Sequence, residues 1–131
     1  MKIHDIIPPS PSDVADWSDV AALQQRMAQT VTALAAMADD VGMAKHVLEY
    51  DGARQKQALA RGMAPALAGG DSAAKAEAAA RADACYAKEI DTLARQHLAA
   101  EQTIAAHDAA RLVWETCRSL LAMTRESVKR I

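Results

Sequence analysis

Four histidines and two cysteines are the residues best suited to catalysis or metal binding, and their spacing decides what they can do. His46 stands three residues before Glu49 and His97 four before Glu101, so each pair falls one helical turn apart. Carboxylate-bridged di-metal bundles use the opposite order, Glu-x-x-His on two helices, together with two further glutamates. The order here is reversed and the two spacings differ, so the histidines read as helix-surface or interface residues, and neither a metal nor another cofactor is expected. Cys117 beside Arg118 would favour a thiolate, yet no histidine lies within a turn to serve as base. Gly69-Gly70-Asp71-Ser72 lacks both the lysine and the preceding strand of a phosphate-cradling loop. No catalytic constellation emerges, and the chain reads as a non-enzyme.

The basic residues carry more. Arg111, Arg118 and Arg125 recur every seven residues around Trp114; Arg81, Lys88 and Arg95 form a second such row, and Arg54 and Arg61 a third. Local acids offer ordinary helix-surface bridges: Glu77 to Arg81, Asp91 to Arg95, Glu115 to Arg111 and Arg118, and Glu126 to Arg130. Arg61, Arg125 and Lys129 are expected to lack an acidic partner on their own helix. Guanidinium groups beside an aromatic ring suit the phosphates and bases of a single strand. They suit an acidic protein surface equally well.

The elements that must position these groups are helices. From Ser72 to Ile131 the chain runs sixty residues without Gly or Pro, just after Gly69-Gly70. Alternating steps of four and three mark a stripe along it: Tyr86, Ile90, Leu93, His97, Ala100, Ile104, His107, Arg111, Trp114, Arg118, Leu121, Arg125 and Val128. Tyr86, Ile90, Leu93, Ile104, Trp114 and Leu121 are its subunit-interface candidates. A first helix is expected over 13–61, with Val20, Met27, Val31, Leu34, Val41, Leu48, Gln55 and Leu59 on one face, Ser12 or Ser18 as cap, and a bend or break near Gly42. Gly62, Pro65 and Gly69-Gly70 punctuate a turn over 62–71, and a second helix follows over 72–131. The expected fold is all-α: a long antiparallel helical hairpin with coiled-coil-like packing, after an extended proline-rich leader over 1–12 that is either a local packing segment or a docking peptide.

Composition bounds the rest. Of 131 residues, 51% are hydrophobic but nearly half of these are Ala, with no Phe. Such a hairpin has a thin core, so association into a homo-oligomer is expected to thicken it. The formal charge of -2 conceals eight acids against three bases in residues 1–51 (net -5) and twelve bases against nine acids in 52–131 (net +3). Cys85 and Cys117, 32 residues apart on one helix, cannot bridge and fit a reducing cytoplasm. No run of about 20 apolar residues predicts a membrane span, and no leader of the secretory type is expected.

Several stretches resemble a family of small helical proteins encoded by tailed bacteriophages and prophages. They are Leu48-Glu49-Tyr50-Asp51-Gly52-Ala53-Arg54-Gln55-Lys56, Gly70-Asp71-Ser72-Ala73-Ala74 with Ala76-Glu77, Arg81 to Tyr86, and Trp114-Glu115-Thr116-Cys117-Arg118-Ser119-Leu120-Leu121. In length and hairpin character these are similar to UvsY-type recombination mediators. The resemblance covers roughly 45–131 and implies a recombination accessory protein of a bacterial host cytoplasm, binding single-stranded DNA and a recombinase or single-strand-binding protein. On that reading Arg54, Arg61, Arg81, Lys88, Arg111, Arg118, Arg125 and Lys129 neutralise phosphates. The alternative expectation is a helical scaffold or inhibitor that binds one protein partner without nucleic acid.

Overall fold

The computed structural model describes residues 19–129; the proline-rich leader and the Ser12 and Ser18 caps lie outside them. Three α-helices fill the described chain: α1 (Val20–Ala68), α2 (Ala73–Ala82) and α3 (Ala84–Lys129), with no strand among the described residues. Asp19 caps α1, its Oδ1 accepting from the Ala21 N–H at 3.0 Å.

The expected stop at 61 gives way to a helix seven residues longer. Gly62 adds no steric obstacle to a helix, and Pro65 lies in the last turn of α1, where the hydrogen bond it forgoes and the crowding of its ring both fall on the single carbonyl of Arg61. Termination falls at Gly69-Gly70. The Gly70 N–H donates to the Leu67 carbonyl at 3.1 Å and the Asp71 N–H to the Ala66 carbonyl at 3.0 Å, while Gly70 takes a φ of 93°. This pair of bonds is the Schellman cap, which needs a left-handed residue that glycine supplies without strain.

The expected continuous helix over 72–131 is instead two helices, divided at Asp83. Ser72 starts α2, accepting from the Lys75 N–H at 3.3 Å. Asp83 then adopts an extended backbone (φ -75°, ψ 131°), donates to the Ala80 carbonyl at 3.1 Å, and accepts from the Cys85 N–H on Oδ1 at 3.2 Å. One residue thus ends α2 and caps α3. An Asp side chain competes for backbone N–H groups in this way, so a helix can break without Gly or Pro.

The chain forms two compact units. In the first, residues 20–42 of α1 pack against residues 103–129 of α3. Its core is Leu23, Ala33, Val113, Cys117 and Leu121, flanked by Met27 and Leu120. Thr30 is fully buried there, and its hydroxyl is satisfied by donating to the Arg26 carbonyl at 2.7 Å. The second unit, Met43–Gln102, holds the rest of α1, all of α2 and the start of α3. Arg61 pairs with Glu89 and Asp51 with His97, so numbering falls along α1 as it rises along α3, which makes the two helices antiparallel. Ala58, Ala76, Ala80 and Ala100 fill its interior. A Cβ built on Gly62 would lie 3.1 Å from the Ala80 Cβ, which marks how closely α1 and α2 approach. Small buried side chains contribute little area each, as the composition implied.

Candidate nucleic-acid or partner interface on the helix faces

The expected stripe on α3 holds its phase in the second unit and loses it in the first. Tyr86, Ile90, Leu93 and His97 are half-buried and Ala100 is buried. Beyond them, Ala110 and Cys117 are 0% exposed, whereas the stripe members Arg111, Arg118 and Arg125 are exposed. The buried positions of α3 in the first unit are Ala110, Val113, Cys117 and Leu121, with Trp114, Leu120 and Thr124 half-buried beside them. Of these buried positions only Leu121 belongs to the expected stripe; Ala110, Val113 and Cys117 each sit one residue, about 100° of rotation, before its members 111, 114 and 118. The chemistry of the positions themselves carried this signal: a guanidinium buried without an acid is prohibitive, while Ala and Cys cost nothing in an interior. On α1 the same effect exposes Val31 (52%) and Gln55 while burying Val41.

The eight basic candidates divide equally between the units. In the second unit Arg54 is half-buried on α1, and Arg61, Arg81 and Lys88 are exposed on α1, α2 and α3. Arg61, without an acid on its own helix, finds Glu89 on α3. Arg81 takes Glu77 at 2.9 Å, and that hydrogen bond with its charge pushes the guanidinium pKa further up. Arg95 pairs with Asp91 at 3.0 Å, as the i,i+4 spacing predicted. These exposed bridges are worth little individually.

In the first unit Arg111, Arg118, Arg125 and Lys129 all lie exposed on α3. Two local expectations change here. Arg111 turns to Asp108 at 3.7 Å rather than to Glu115, and the Arg118 guanidinium stands 5.2 Å from the centroid of the Trp114 ring. Lys129, expected without a helical partner, has Glu126 three residues earlier at 3.9 Å. Seven residues on a helix return to nearly the same direction, so Arg111, Arg118 and Arg125 project along one side of α3 with half-buried Trp114 beside them. The Arg118 charge over the indole is a cation–π contact that a sequence-spacing argument had left out, although its i,i+4 spacing was legible.

Of the interface candidates, Tyr86, Ile90, Leu93, Ile104 and Trp114 are half-buried and Leu121 is 6% exposed within the first unit's own core. Large apolar side chains lie open elsewhere: Leu98 is 55% exposed, Leu112 63% and Met123 65%.

His97 sits between two carboxylates. Its Nε2 is 3.0 Å from Glu101 Oε1, and its Nδ1 is buried 3.3 Å from Asp51 Oδ2 without the alignment of a hydrogen bond. His46 packs its ring against Tyr50 at a centroid distance of 4.5 Å. Among the described residues no three His, Cys, Asp or Glu side chains are arranged to hold a metal ion. Both cysteines are free thiols, Cys85 exposed and Cys117 buried, and burial pushes the Cys117 thiol pKa up although Arg26 opposes the shift. This is the reverse of an activated nucleophile. No described helix is long and apolar enough to cross a membrane.

Comparison of the chain with known families, with characterised proteins and with solved structures gives no match.

Proposed function

We propose that this chain is a non-enzymatic, oligomeric accessory protein of phage-type DNA recombination in a bacterial cytoplasm. It binds single-stranded DNA together with a recombinase or single-strand-binding protein, in the manner of UvsY-type mediators. The observation that carries the reading is the side of α3 on which Arg111, Arg118 and Arg125 project at seven-residue intervals past Trp114, with Arg118 against the ring. Guanidinium groups neutralise phosphates, and a partly open indole offers a face on which a base stacks. On this reading Lys129 of the same unit, and separately Arg54, Arg61, Arg81 and Lys88 of the second unit, are further phosphate contacts.

The test is an anisotropy titration of a labelled single-stranded oligonucleotide across a salt series. Saturable binding whose log affinity falls linearly with log salt supports the reading. Replacing Arg118 and Arg125 by Ala is expected to lower the slope by roughly 1.4, at about 0.7 per phosphate contact on a single strand, with the helical circular-dichroism signal unchanged. Normal binding by the double variant removes this site.

A second reading has its own observation. Leu98, Leu112 and Met123 are more open than buried, and large exposed side chains of this kind suit a helical scaffold or inhibitor with one protein partner. Absence of oligonucleotide binding even at low salt favours it.

A further inference from the structure

At the end of the first unit, Val20 of α1 and Thr124, Arg125, Val128 and Lys129 of α3 line a groove of about 290 Å³. Its walls are the methyl groups of Val20, 37% exposed, and Val128, 66% exposed, and its two cations stand on exposed side chains. Glu126 lies 3.9 Å from Lys129, and Arg125 has no acid three or four residues away on its helix. Apolar walls beside two cations select an occupant that carries aliphatic side chains next to a carboxylate.

The chain that enters Val20 has that chemistry. Ile3, Ile6 and Ile7 surround Asp5, and Asp13 and Asp16 follow. We propose that this groove is a docking site for the chain's own Asp5-Ile6-Ile7 segment, aliphatic groups against the valines and acid toward Arg125 and Lys129. Reach is not limiting. From Ile7 to Asp19 is twelve residues (19 − 7), which extended span about 40 Å at roughly 3.3 Å each, and the groove begins at the very next residue. A tether this short supplies the segment at millimolar effective concentration, so a weak contact suffices. Pro8, Pro9 and Pro11 restrict the peptide before it binds, which lowers the ordering cost. The docking stands independently of nucleic-acid binding. If both hold, the segment covers two of the cations assigned to phosphate.

The test uses the full chain and a fluorescein-labelled synthetic peptide of residues 1–12, read by anisotropy. The variant Asp5→Asn with Ile6→Ser and Ile7→Ser removes both the acid and the aliphatic groups of the segment and is expected to leave the groove empty. It is expected to bind the peptide saturably and at least tenfold more tightly than the unaltered chain, whose own segment competes. Adding Arg125→Glu to that variant is expected to abolish the binding. Equal affinity for the unaltered chain and the variant, binding that survives Arg125→Glu, or no binding by the variant at millimolar peptide would each overturn the proposal.

Discussion

Three glycines inside one helix make opposite predictions from the same substitution. Gly42, Gly52 and Gly62 all lie within α1, where glycine costs about 1 kcal/mol relative to alanine because the unfolded chain loses more freedom. Around Gly42 and Gly52 a built Cβ meets nothing within 4 Å, so neither glycine serves a close approach. Gly42→Ala and Gly52→Ala are each expected to stabilise by about 0.8–1 kcal/mol. At Gly62 the new methyl would stand 3.1 Å from the Ala80 Cβ, 3.7 Å from its Cα and 4.0 Å from the Tyr86 Cβ. Ala80 is 1% exposed, and its Cβ is fixed to the α2 backbone, so it yields only if the whole helix shifts. Overpacking of this kind costs about 1–3 kcal/mol, which cancels or exceeds the propensity gain. Gly62→Ala is therefore expected to be neutral or destabilising by up to about 2 kcal/mol. Urea denaturation of the three variants, fitted with a common m-value, measures the difference. Equal stabilisation by all three would refute the close α1–α2 approach. No gain at Gly42 or Gly52 would refute the open space around them.

Two further outcomes follow from burial. Leu23→Ala, at a side chain 1% exposed in the first unit's core, is expected to cost about 2–4 kcal/mol, while Leu98→Ala, 55% exposed, costs under about 0.5 kcal/mol. A Leu98 cost as large as that of Leu23 in thermal melts would mean that the exposed face is covered in solution. For Cys117 the folded pKa lies above the unfolded value, so the buried neutral thiol contributes stability that is fully present below about pH 8.5 and is lost as pH rises from there through the folded pKa. Thermal midpoints of the protein are expected to fall faster with alkaline pH than those of Cys117→Ala; parallel curves would contradict the burial of this thiol.

Much of what depends on near neighbours in the chain was legible from the residues alone. The helical character of the described chain, the start at Ser72 and the bridges Arg81–Glu77 and Arg95–Asp91 are settled within a turn or two of backbone, whereas the first helix runs seven residues past its expected stop at 61 before the Gly69-Gly70 cap. Even the Asp83 break is local, an Asp side chain taking an N–H two residues on, and only the lack of Gly and Pro concealed it. Three facts needed the opposing helix. The seam of α3 passes through Ala110 and Cys117 rather than Arg111 and Arg118, because burial is decided by which side a partner helix covers, and small side chains leave a weak hydrophobic pattern to announce it. Arg61 finds Glu89 from a residue 28 positions away. Gly62, which in sequence resembles Gly42 and Gly52, differs from them only because α2 packs against it. Periodicity fixes that a helix has an apolar side. The direction in which that side faces is a property of two helices, not of one.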